Sequence, residues 1–130
     1  MSKYIGAIGI AVSDLQASAA FYTKMLGMVE LQTMELPTVT QIVLGFEGVR
    51  GASVLLMNYT DGRDINCKDV PVKLVFYVPD TEARLEAIRA ANYTVHIEAT
   101  AHASMGGAII GFAKDPDGYL VELIQKPPKN

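Results

Sequence analysis

The stretch DPDGYLVEL (115–123) sets a carboxylate where either chemistry or a penalty must follow. Asp115, Pro116, Asp117 and Gly118 spell a tight turn, and the run after it is apolar except for Glu122. A lone ionised carboxylate in a buried strand is costly unless something pairs with it. Suitably partnered, the same group can transfer a proton or hold a cation. The other side chains with chemistry to offer are few. His96 and His102 are the two histidines, expected on the sixth strand and in the loop after it. Cys67, the single cysteine, lies in a polar loop with no histidine nearby in sequence and reads as an incidental thiol. One cysteine cannot close an internal disulfide, which fits a reducing, cytoplasmic setting.

The elements that must position these groups are legible from periodicity. Residues 4–12, YIGAIGIAV, are β-rich. Ser13 or Asp14 then caps a helix over 15–26, and Gly27 suits its stop. Leu15, Ala19, Tyr22 and Leu26 recur along it at helical spacing as a core-facing stripe. Three strand-like runs follow, at 28–36, 39–46 and 52–59, separated by Pro37 and the segment from Gly48 to Gly51. Residues 60–70 are polar, rich in turn formers, and read as a linker loop. The order then returns. VKLVFYV (72–78) is a strand, and Pro79, Asp80 and Thr81 start a helix with Leu85 and Ile88 on one face. Strands follow over 93–99, 108–114 and 119–125, before a tail, KPPKN, expected to fray.

Composition narrows the class. A chain of 130 residues supports one domain with a real core. Hydrophobic content of 50% and charge of 19% describe a globular protein. A net charge of −3 without a block of like charges argues against nucleic-acid binding or a polybasic membrane contact. The apolar N-terminal run is cut short by Asp14, so it reads as a strand and not as a signal peptide or membrane span.

The two halves overlay. AIGIAVSD (7–14) matches KLVFYVPD (73–80) at an offset of 66, and GASVLLMN (51–58) matches GYLVELIQ (118–125) at an offset of 67. The chain is therefore expected to repeat a β-α-β-β-β module, over about 4–59 and about 71–126.

The segments SDLQASAAFYTKMLGM (13–28) and DPDGYLVELIQ (115–125) resemble the first helix and the closing strand of the glyoxalase/bleomycin-resistance/extradiol-dioxygenase group, the vicinal oxygen chelate superfamily. The resemblance implies an α+β fold, a single domain over 1–130, in which two βαβββ modules form an incomplete barrel around a pocket. It also implies up to four metal ligands, one from the first and one from the last strand of each module. Glyoxalase I, in that group, uses two His and two Glu. The repeat carries these positions onto Ala7, Leu55, Lys73 and Glu122, of which only Glu122 is a ligand type. A stable divalent site usually takes three or more protein ligands, so no metal and no other cofactor is expected. A Lys73–Glu122 ion pair is expected instead. In one reading the pair is structural. In the other both residues are catalytic: Lys73 binds a substrate oxyanion and Glu122 moves a proton.

Strand alternation sets Ala7, Gly9 and Ala11 toward the pocket and Ile8, Ile10 and Val12 toward the helix. By the same rule Ser53, Leu55, Met57, Val75, Tyr77, Leu120 and Ile124 line the cavity as substrate-binding residues beside Lys73 and Glu122. Tyr77 reads equally as a core aromatic with its hydroxyl at the rim, and Met57 reads first as a packing residue. Gly106 and Gly107 suit either a flap over the pocket or a hairpin-type turn, and His102 either approaches a ligand or faces solvent.

Such a cavity suits a small, largely apolar compound fixed by a few polar contacts. The favoured function is a lyase or isomerase-like enzyme acting on a small carbonyl or thioester-type compound. The alternatives are a metal-free binding protein of the bleomycin-resistance type and an inactive paralogue. Sheet edges need cover, so a homodimer is expected.

Overall fold

Two aspartates 66 positions apart open the two helices and set the pattern of the molecule. Asp14 (φ −136) and Asp80 (φ −149) hold extended backbone, and the carboxylate of each accepts from the amide three residues on, Ala17 or Ala83, at 3.0 Å. Each cap is worth about 1 kcal/mol of helix stability. The computed structural model describes residues 2–67 and 69–128. Its elements are β1 (Ala7–Ala11), α1 (Leu15–Leu26), β2 (Val29–Glu35), β3 (Val39–Gly45), β4 (Ser53–Tyr59), β5 (Lys73–Tyr77), α2 (Thr81–Ala90), β6 (Thr94–His102), β7 (Ala108–Lys114) and β8 (Leu120–Gln125).

The chain divides into two compact units, the first ending at Cys67. Each carries an open four-stranded sheet, in the order β1-β4-β3-β2 and β5-β8-β7-β6. In both, the first strand runs parallel to the last and the other pairs are antiparallel. The expected α+β repeat is thus present in element order, sheet order and strand direction alike.

In the first unit α1 lies over β2, β3 and β4. Phe21 and Tyr22, both fully buried, meet edge to face with ring centroids 5.0 Å apart. Ile10, Val12, Ile42, Leu44 and Leu56 are buried with them. Gly27, at φ 76, ends the helix in the left-handed conformation a glycine adopts without strain. In the second unit α2 lies over β6, β7 and β8 and buries Leu85 and Ile88. Gly111 permits that approach, because a Cβ there would sit 2.4 Å from Leu85 Cδ1. An amide side chain at the end of each last strand secures the helix entry. Asn58 donates to the Val12 carbonyl at 3.0 Å, and Gln125 accepts from the Thr81 amide at 3.1 Å.

Some expectations are corrected. Strand β1 begins at Ala7, not at residue 4. Ile8 does not meet the helix and is 62% exposed. The reason is that β1 is an edge strand, so only Ile10 and Val12, nearer the helix start, are covered. Strand β6 runs on to His102, which is therefore its last residue and not a loop residue. Cys67 lies in the loop expected for it, where it is buried and its thiol donates to the Ala11 carbonyl at 3.3 Å. Residue 68 of the expected linker and residues 129 and 130 of the expected frayed tail lie outside the described residues. Among the described residues no helix is long and apolar enough to cross a membrane.

Candidate functional site

The turn that launches β8 is built by Asp115. This residue is buried, and its Oδ1 accepts from the amides of Asp117 at 3.0 Å and Tyr119 at 2.9 Å. Its carbonyl accepts from the Gly118 amide at 2.9 Å, and Gly118 takes φ 95, a conformation few other residues tolerate. From this fixed start, alternation sends Leu120, Glu122 and Ile124 to one face of the second sheet. Parallel pairing with β5 sets Lys73 beside Leu120, Val75 beside Glu122 and Tyr77 beside Ile124.

On that face Lys73 reaches across, and its Nζ lies 2.7 Å from Glu122 Oε1. The Lys73 side chain is 49% exposed and that of Glu122 only 10%. The carboxylate questioned in the sequence is therefore ion-paired, and its partner is half in water. Ala108, Ile110 and Ile124 form a buried apolar cluster on the sheet with Phe112 packed against it. Val75 and Tyr77 are exposed, and Lys126 lies over the Tyr77 ring at 4.9 Å.

The first unit keeps the same register without the chemistry. Ala7 pairs with Ser53 and Gly9 with Leu55, as Lys73 pairs with Leu120 and Val75 with Glu122. The repeat thus equates Ala7 with Lys73 and Leu55 with Glu122. Ser53 is buried, and Leu55 and Met57 are half-buried. A Cβ at Gly9 would meet Met57 Sδ at 3.0 Å, so the small residue makes room for the thioether.

Ala7 and Leu55 offer no donor atom, and Lys73 is held by Glu122. Among the described residues no group of three or more His, Cys, Asp and Glu could hold a metal ion. The donor set does not fit the four-ligand centre that the resemblance implies. His96 is exposed and His102 half-buried. Gly106 and Gly107 adopt φ 69 and φ 89 in a tight connection of β6 to β7, closed by the Gly107 amide donating to the His102 carbonyl at 3.0 Å. This is the geometry of the hairpin-type turn.

Sequence reasoning missed two features. One is Lys114, which pairs with Leu120 from the β7 side and shares its face with Lys73. The alternation of β7 back from the DPDG turn was the signal that could have found it. The other is Arg63, whose guanidinium stacks over the Tyr59 ring at 3.9 Å while forking onto Asp61 at 2.6 Å. That contact holds the exposed Asp61 carboxyl at about 2, below its ordinary 3.8.

Residues 4–123 match the model of the Glyoxalase/Bleomycin resistance protein/Dioxygenase superfamily. A lactoylglutathione lyase of Haemophilus influenzae is 34% identical over 119 residues, which cover 89% of this chain and 87% of that protein. A probable lactoylglutathione lyase of Vibrio parahaemolyticus is likewise 34% identical over 119 residues, covering 89% and 86%. Among solved structures, the glyoxalase I of Leishmania major superposes with a TM-score of 0.80 over 96% of this chain and 88% of its own. At 24% identity that likeness speaks for the fold alone. Duplicated βαβββ units, a DPDG turn before the last strand and a match across nearly the whole chain make this protein a member of the Glyoxalase/Bleomycin resistance protein/Dioxygenase superfamily.

Proposed function

We propose that this protein is a lyase or isomerase-like enzyme that acts without a bound metal on a small carbonyl or thioester-type compound. The reading rests on one contact, the 2.7 Å pair of Lys73 and Glu122. Lys73 is half-exposed, so its ammonium can turn to a substrate oxygen while remaining beside Glu122. There it stabilises the charge that develops on oxygen when a neighbouring C–H bond breaks. Glu122 accepts that proton and returns it to the adjacent carbon, so the compound is rearranged with no net oxidation. Ser53, Leu55, Met57, Val75, Tyr77, Leu120 and Ile124 are proposed to contact the ligand. The chain is proposed to work as one cytoplasmic domain and as a homodimer. Exposed apolar residues such as Ile8, Val75, Tyr77 and Ile97 are what a second copy would cover.

A second reading, a metal-free binding protein or inactive paralogue, is favoured by the same pair seen as static. Glu122 is already satisfied by Lys73, and no other base adjoins it on the strand. Lactoylglutathione, the thioester named for the relatives, separates the readings. It is titrated into chelator-treated protein, and both melting temperature and thioester absorbance are followed. The enzyme reading expects a rise in melting temperature and turnover that chelator leaves intact, with turnover lowered at least about a hundredfold in Lys73→Met and Glu122→Gln. Stabilisation without turnover supports the binding reading. Turnover that needs an added divalent ion, or that survives both substitutions, overturns the proposal.

A further inference from the structure

The geometry points to Lys114 as the residue that selects an anionic, carboxylate-bearing ligand for the site of Lys73 and Glu122. The inference deepens the ligand-site reading above and rests on it. An open cavity of about 410 Å3 adjoins one end of the second sheet, walled by Lys73, Lys114, Gly118 and Leu120 and by the segment 69–72. That volume falls in the range of small-molecule sites, roughly 300–1,000 Å3. Leu120 pairs with Lys73 on one side and with Lys114 on the other, so the two ammonium groups flank it on one face of the sheet.

Charge separates the two lysines. Lys73 is neutralised by Glu122 at 2.7 Å. Lys114 is half-buried and has no carboxylate within 4.0 Å among the described residues. Asp115 and Asp117 lie close to it in the chain, and Asp69 lines the same cavity. Asp115 turns its Oδ1 to the amides of Asp117 and Tyr119, and Asp69, which also lines the cavity, is exposed, where water and salt screen it. Among the described residues no ion pair joins Lys114 to an acidic side chain, so the cavity carries a second ammonium next to the pair proposed to handle a carbonyl oxygen. A compound that joins a carbonyl to a carboxylate, such as a 2-oxo acid, meets both ends of this arrangement: its oxygen at Lys73 and its carboxylate at Lys114. An ammonium–carboxylate contact in a half-buried site is a charge-assisted bond, stronger than a neutral one.

The probes are 4-methyl-2-oxopentanoate and its methyl ester, which have the same chain and carbonyl but differ by the charge. Binding to the full chain is read from the amide resonances of Gly118 and Leu120. The acid is expected to bind about tenfold or more tightly than the ester, the worth of one charge-assisted bond. Lys114→Met is expected to lower the acid to the level of the ester, and Lys114→Arg to keep most of the preference. Equal binding of acid and ester, or an acid preference that survives Lys114→Met, overturns the assignment of Lys114. The two ideas fail differently. Ester binding that is unaffected by Lys73→Met sinks the reading of the Lys73–Glu122 site, and so does the failure of both probes to shift either amide.

Discussion

Lys73 and Glu122 are in contact at 2.7 Å although neither is the other's rung in the sheet. Lys73 pairs with Leu120, and Glu122 with Val75. The ion pair is diagonal, spanned by the long lysine stem. This frees the lysine head to lie in water while the carboxylate stays under cover, and the two substitutions at the pair are unequal as a result.

Lys73→Met leaves a nearly buried carboxylate without its cation, whereas Glu122→Gln leaves an ammonium that can swing into solvent. Removing one partner of a fully buried pair costs about 3–5 kcal/mol, and the half-exposed lysine here brings that down to about 1–2 kcal/mol for Lys73→Met. Glu122→Gln should cost under about 1 kcal/mol, since a neutral amide retains some hydrogen bonding. The double variant should recover most of the loss, a coupling readable in urea unfolding at neutral pH. Equal costs that simply add would show that the pair contributes nothing to stability.

Ser18 sits fully buried on α1, and its Oγ has no hydrogen-bond partner among the described residues. A desolvated hydroxyl that forms no bond is a net penalty, and serine is also a poorer helix former than alanine. Ser18→Ala should therefore stabilise the protein by up to about 1 kcal/mol, against the usual trend for truncating a core residue. Chemical denaturation measures it, and a loss of more than about 1 kcal/mol would reveal a bond that this geometry does not contain.

The residues that the sequence made legible were those whose role is local or repeated. The span of α1, its Asp14 cap and its Gly27 stop follow from chain-neighbour chemistry, and the same holds for Asp80. The partner of Glu122 was legible because the family resemblance, carried over through the repeat, aims the positions of Lys73 and Glu122 at one cavity, and the two are in contact. What escaped depended on which strand lies at an edge and on how far a helix reaches. Ile8 alternates correctly yet is exposed, because α1 covers β2, β3 and β4. Cys67 follows a polar stretch yet is buried on the Ala11 carbonyl, a contact across 56 positions that no local pattern announces. Lys114 needed the β7–β8 register before it could be placed beside Leu120.

Asp61 gives a pH prediction with a definite sign. Arg63 donates to it through Nε at 3.0 Å and through a second nitrogen at 2.6 Å, and this holds the carboxyl at about 2, down from 3.8. Because the folded value is depressed, the stabilisation is fully present above the unfolded value, near pH 4, and is lost as pH falls through about 2. The group is exposed, so the thermodynamic effect is small and screened by salt, and the sharper observable is the titration itself. A carboxyl-carbon NMR titration should place the Asp61 midpoint near 2, and Arg63→Met should move it up toward 3.8. The Tyr59 ring beneath the guanidinium, 3.9 Å from its centre, should shift the Arg63 side-chain protons upfield by its ring current while the fork is in place. A wild-type midpoint near 4 would mean that the fork between Arg63 and Asp61 does not persist in solution.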